Sequence, residues 1–147
     1  MKKKNGFTLV ELLAVIVILA IILLIAVPNV IGIIDKAKKD SYCSTAKMAY
    51  KAVEYFKLQE PDAINAIPSD GKLVITFDGT SAVVTYTGTG ADALTAPNFT
   101  NLDGIERFAS GTLEIAPNGT IAVGTALKAA EGGYEITSVN HKECAGL

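Results

Sequence analysis

Hydrophobic residues are distributed very unevenly along the chain. Residues 7–27 read FTLVELLAVIVILAIILLIAV, apolar on every side of a helix, with Glu11 as the one charge. A run of about twenty such residues is long enough to cross a bilayer as a helix. The next thirty residues change character. Val30, Ile33, Ile34, Ala37, Cys43, Ala46, Ala49, Tyr50, Val53 and Phe56 recur at three- and four-residue spacing, while Asp35, Lys36, Lys38, Lys39, Asp40, Lys47, Lys51, Glu54 and Lys57 mostly fill the other face. This period predicts an amphipathic helix with one side for a sheet and one for water or neighbours. Gln59-Glu60-Pro61 supplies the stop, because the residue before a proline is pushed out of the helical region. One helix over residues 7–59 would be roughly 80 Å long at 1.5 Å per residue. Pro28 falls inside it, lacks an N–H and opposes the carbonyl of Leu24, so a bend is predicted there. Gly32 adds local freedom.

Beyond Pro61 the pattern becomes that of strands. Residues 72–78 and 81–87 alternate around Gly79-Thr80 and predict a hairpin. Residues 88–98, rich in Gly, Ala and Thr, predict a loop, and residues 102–109 a short helical or irregular piece. Residues 111–116 and 120–124 flank Pro117-Asn118-Gly119, a strong turn signal. Residues 133–139 form the last predicted strand, followed by a polar tail. Four or five antiparallel strands with one apolar face need a cover, and the amphipathic half of the long helix supplies it. The predicted fold is therefore α+β, a long N-terminal helix packed through its second half on a four- to five-stranded antiparallel sheet.

Composition adds exclusions. The 147 residues carry a formal net charge of −2 and no strongly basic patch, so nothing favours nucleic acid as an obligatory partner. His141 is alone in the polar tail, where solvation is the expected state. No H-E-x-x-H, G-x-S-x-G or G-x-x-x-x-G-K motif occurs, so catalysis, a cofactor and a metal are not expected. Asp92 and Asp103 are isolated carboxylates, unlike the closely spaced ligands of calcium loops. Asn98 and Asn118 begin N-x-T triplets that arise often by chance, and Asn118 is better explained by its turn. Cys43 and Cys144 form no C-x-x-C pair. An oxidising location favours a bridge between them over two separate thiols. Closing a loop near 100 residues stabilises by as much as ~4.7 kcal/mol in the chain-entropy model.

The N-terminal flank orients the apolar run. Lys2-Lys3-Lys4 precede it, so the positive-inside rule places the C-terminal part outside. A secretory signal would end in small residues after its apolar region. Here the small Gly6 sits before that region, between the basic leader and the apolar run. Removing the three lysines takes the net charge to about −5. Glu11 is costly in hydrocarbon, about 2.5–3.5 kcal/mol at a helix centre and less near its end, and it needs a partner.

The block Gly6-Phe7-Thr8-Leu9-Val10-Glu11-Leu12, followed by the long apolar run, resembles the prepilin signal of type IV pilins and their pseudopilin relatives. The resemblance implies a leader at residues 1–6, a transmembrane and polymerisation helix at 7–28, an amphipathic half at 29–60 and a head at 61–147. It implies cleavage between Gly6 and Phe7, N-methylation of Phe7, and a role in assembly for Glu11 with the amine of Phe7. Pro28 would curve the free subunit; Ala20 stands where many relatives have glycine. Many pilins close a C-terminal loop with two nearby cysteines, and the wide spacing of Cys43 and Cys144 departs from that pattern. The implied partners are a prepilin peptidase and methylase, a pilus assembly platform, minor pilins, membrane lipid before assembly, and further copies of the chain in a helical homopolymer. The expected location is the cytoplasmic membrane, then an extracellular pilus serving adhesion, aggregation or twitching. The alternatives are a minor pilin or pseudopilin of a type II secretion or DNA-uptake machine, and an anchored binding protein that never assembles.

Overall fold

The structure, a computed structural model, describes residues 7–97, 99 and 107–146. Its contacts divide the chain into two compact units, residues 1–38 and 39–147. The first unit, as described, consists of the N-terminal part of one helix, α1 (Leu9–Gln59), which runs without interruption through Pro28. Its apolar side chains have no covering layer: every residue from 7 to 34 is exposed except the partly covered Ala26. Val30, Ile33 and Ile34, although in phase with the amphipathic pattern, are about half or more exposed.

In the second unit the C-terminal part of α1 packs on an antiparallel sheet. Thr45, Ala46, Ala49, Val53 and Phe56 are its buried residues. Their three- and four-residue spacing forms one stripe, and the small Ala46 and Ala49 allow the helix backbone to approach the sheet closely. Thr45 stays satisfied in this setting because its hydroxyl donates to the Ser41 carbonyl at 3.1 Å. After Glu60 a one-turn helix, α2 (Pro61–Asn65), begins with Pro61 at its start, where the missing N–H is harmless. The expected stop is present, and the short second helix is an addition.

The sheet contains β1 (Lys72–Phe77), β2 (Ala82–Thr87), β3 (Phe108–Ile115), β4 (Ile121–Val123), β5 (Leu127–Ala129) and β6 (Glu135–Ile136). The order is β2-β1-β3-β5-β6, with β4 also paired to β3. Register places Ile75 opposite both Val84 and Leu113, and Leu73 opposite Ile115. Leu73, Ile75, Phe77, Phe108, Leu113, Ile115, Leu127 and Ile136 thus supply the buried face against α1. The period-two alternation of β1 decides which of its side chains do so.

Both predicted turns have local chemistry. The Asp78 carboxylate accepts from the backbone N–H groups of Thr80 and Ser81 at 2.9 and 2.7 Å, which fixes the β1–β2 connection. Asn118 Oδ1 accepts from Thr120 N–H at 3.0 Å, and Gly119 follows at φ +78°, a conformation available to glycine without strain.

Several elements differ from expectation. The irregular piece expected at residues 102–109 falls partly outside the described residues, and its end, Phe108 and Ala109, opens β3. The expected final strand at 133–139 is two strands. β6 ends at Ile136, and β7 (Ser138–Val139) turns away to pair with β8 (Cys144–Ala145) as a second, two-stranded sheet. β5 and β8 were not anticipated. Each is too short to show alternation, so only its partner strand reveals it.

Candidate functional site

Two regions hold the residues singled out above. The first is the start of the stalk. Gly6 lies outside the described residues; Phe7 is 85% exposed, Thr8 precedes the first helical residue, and Leu9 opens α1. The Glu11 carboxylate accepts through Oε2 from both the backbone N–H and the hydroxyl of Thr8, at 2.8 Å each, and the Thr8 hydroxyl oxygen accepts from the Glu11 N–H at 3.3 Å. This is a capping box: a threonine at the N-cap and a glutamate three residues on, each satisfying a backbone donor of the other. The T-x-x-E spacing is plain in the sequence, but the cap was not recognised there. Glu11 thus has a partner within its own chain at the point where hydrocarbon would otherwise meet an unpaired carboxylate.

Behind the cap the surface is continuous apolar side chain. Leu9, Leu19, Leu24 and Ile25, for example, are 81, 51, 78 and 67% exposed. Among the described residues one helix is long and apolar enough to cross a membrane, and it is this one. Pro28 leaves the Leu24 carbonyl without its usual helical donor, and one residue further the Asn29 side-chain amide donates to the Ile25 carbonyl at 3.4 Å. A Cβ added to Gly32 would meet nothing within 4 Å, so packing within the chain does not require glycine there.

The second region is the seam between α1 and the C-terminal hairpin. Cys43 and Cys144 form a disulfide with Cα atoms 5.8 Å apart. His141 is exposed, as expected, but it is not alone. Its Nε2 lies 2.9 Å from the Glu54 carboxylate, and its ring meets Tyr50 edge-on at 5.3 Å. Partial burial, then the neighbouring Glu54 charge, push the Tyr50 hydroxyl above its usual range. Arg107 donates to the hydroxyl of Ser41, and Lys39 sits 5.7 Å over the Tyr134 ring. Among the described residues no group of three His, Cys, Asp or Glu side chains could hold a metal ion. Asp92 lies in a single 3-10 turn, whereas Asp103 and Asn98 fall outside the described residues.

Residues 1–27 match the family model of the prokaryotic N-terminal methylation motif, the class III signal peptide of type IV pilins. The match ends before Pro28, so the head stands outside it. No curated protein and no solved structure matches the chain significantly. The motif and the long helix that begins within it fit a type IV pilin-like protein; the signal implies prepilin-peptidase processing, and the apolar helix fits membrane anchoring before assembly.

Proposed function

We propose that the chain is a major type IV pilin, a structural subunit cut between Gly6 and Phe7, methylated on the new Phe7 amine and polymerised into an extracellular fibre for adhesion, aggregation or twitching. The observation that carries this reading is the exposed apolar surface over residues 7–34, most of which lies within the methylation motif at residues 1–27. A stalk of this kind leaves the bilayer only when other apolar surface receives it, and a bundle of identical stalks does so at roughly 25 cal/mol per Å² buried. The repeating interface is heterologous and does not close, which yields a helical filament.

Glu11 then acts in two settings. Before docking, its Oε2 is held by Thr8 of the same chain. On docking, the carboxylate also receives the Phe7 amine of an adjacent subunit. Part of that attraction only offsets desolvation, so the pair sets register and recruitment more than stability. Shearing cells that produce the chain, imaging the released material and identifying its main component by mass spectrometry tests the reading. Fibres composed chiefly of this chain are expected. Its presence only at trace level in fibres built from another subunit would make it a minor pilin, and its retention as a monomer in the membrane would make it an anchored protein.

A further inference from the structure

The C-terminal hairpin grips α1 along a single line. Cys43, Lys47, Tyr50 and Glu54 follow one another at spacings of four, three and four residues, so they lie on one stripe of the helix. Each holds the hairpin. Cys43 is bonded to Cys144. The Lys47 ammonium donates to the Lys142 carbonyl at 2.7 Å. Tyr50 packs against the His141 ring, and Glu54 pairs with its Nε2. Within the hairpin, Asn140 Oδ1 accepts from the N–H groups of Lys142 and Glu143 at 2.8 and 2.9 Å, so the turn is rigid and presents these residues together. Toward the sheet, Val139 is buried, and Thr137 N–H donates to the Ala145 carbonyl at 2.9 Å.

These holds differ greatly in strength. His141, Lys142 and Glu143 are exposed, and exposed ion pairs and hydrogen bonds contribute little. The disulfide is the one contact that cannot open by fluctuation. Meanwhile β1 and β3, at the centre of the main sheet, neither pair with the hairpin nor contain a cysteine. We propose that β7 and β8 form a thiol-locked strap. Oxidised, it is sealed along α1; reduced, it lifts off while the main sheet stays folded. Release also removes His141 from the wall of a groove of about 470 Å³ that it shares with Lys51, Glu54, Tyr55, Lys57 and Leu58. The redox state of one bond therefore sets the shape of that part of the head surface.

The chemistry needs a dithiol as reductant. One thiolate of the reagent attacks a sulfur of the bridge and breaks the S–S bond, giving a mixed disulfide. The reagent's second thiol displaces it, leaving Cys43 and Cys144 as thiols and the reagent as a cyclic disulfide, with two electrons and two protons transferred. Hydrogen exchange read by mass spectrometry on the full chain in detergent tests the proposal. With dithiol, peptides covering 138–146 should exchange about tenfold faster or more, the mark of local opening, while β1 and β3 keep their protection. The Cys43→Ser/Cys144→Ser chain should behave as the reduced protein. Lys47→Met/His141→Gln, left oxidised, should change tail exchange by no more than about twofold. An unchanged tail after reduction would overturn the lock, as would opening of the oxidised Lys47→Met/His141→Gln chain. Loss of protection in β1 and β3 on reduction would show that the bridge holds the whole head, which also overturns the strap.

Discussion

A carboxylate five residues into an apolar run has to be satisfied both before and after assembly. The Thr8–Glu11 cap does so beforehand, and this separates two mutational effects. Thr8→Val removes the hydroxyl half of the cap and should weaken the first turn by about 0.5–2 kcal/mol, visible as faster amide exchange at residues 9–12, with fibres still formed. Glu11→Leu removes the carboxylate half of the cap and the charge, and leaves the Thr8 hydroxyl on the backbone N–H of residue 11. It should insert at least as well, be cleaved, and leave few or no filaments when it is the sole subunit at normal level. Wild-type filament numbers from that variant would remove Glu11 from assembly. The mature chain should begin at Phe7 by N-terminal sequencing, and replacing Gly6 with a larger residue should block that cut. Asp78 belongs to the same scale. Backbone donation from Thr80 and then Ser81, with both hydroxyls, holds its carboxyl far below the ordinary 3.8. A folded value below the unfolded one means that the turn's stabilisation is complete above about pH 4 and fades as pH falls toward the folded value. Exchange at Thr80 and Ser81 should therefore be flat from pH 7 to 5 after correction for intrinsic rates, and an opening centred near neutrality would contradict it.

Among the elements, β3 carries most of the head. It pairs with β1, β4 and β5, and Leu113 and Ile115 on it are fully buried. Leu113→Ala should cost about 2–5 kcal/mol in denaturant unfolding of the full chain in detergent. Val83→Thr, on the exposed face of β2, should change stability by no more than about 0.5 kcal/mol. Gly111 is the second sensitive point. Its φ is +144°, and a Cβ there would lie 2.7 Å from both Cα and Cδ2 of Leu127. Gly111→Ala should cost about 1–3 kcal/mol through strain and overpacking.

That glycine also explains which elements could be read in advance. β1 and β2 showed themselves because six residues alternate on each side of a turn made by Asp78 and Gly79. β3 was placed three residues late because Ser110-Gly111 interrupt its alternation and the register against β5 shifts between Phe108 and Ser110. Leu127 is the lone buried residue of β5, so no pattern existed to detect. At the stalk the block around Gly6, Phe7 and Glu11 carried the resemblance, and the roles of these residues belong to the proposal. The capping role of Thr8 had a readable T-x-x-E signal, whereas the pairing of His141 with Glu54 had none, since 86 residues of chain lie between positions that only the fold brings together.

On the scale of the whole molecule, the chain combines a head whose core is closed with a helix whose apolar surface is not. Among the described residues, fifteen hydrophobic residues of the second unit are buried in one cluster, whereas the stalk's leucines, isoleucines and valines remain about half or more exposed. Such a surface has two destinations, lipid and other stalks, and the proposed function uses both, in that order. The direct measurement is a helical reconstruction by electron microscopy of fibres sheared from cells in which this chain is the major subunit. The account predicts a central bundle of helices formed by residues 7–34, with Glu11 of each subunit within reach of a Phe7 amine and the sheets outside. Fibres whose centre is built from the sheets, with the apolar helices unpacked or absent, would contradict it.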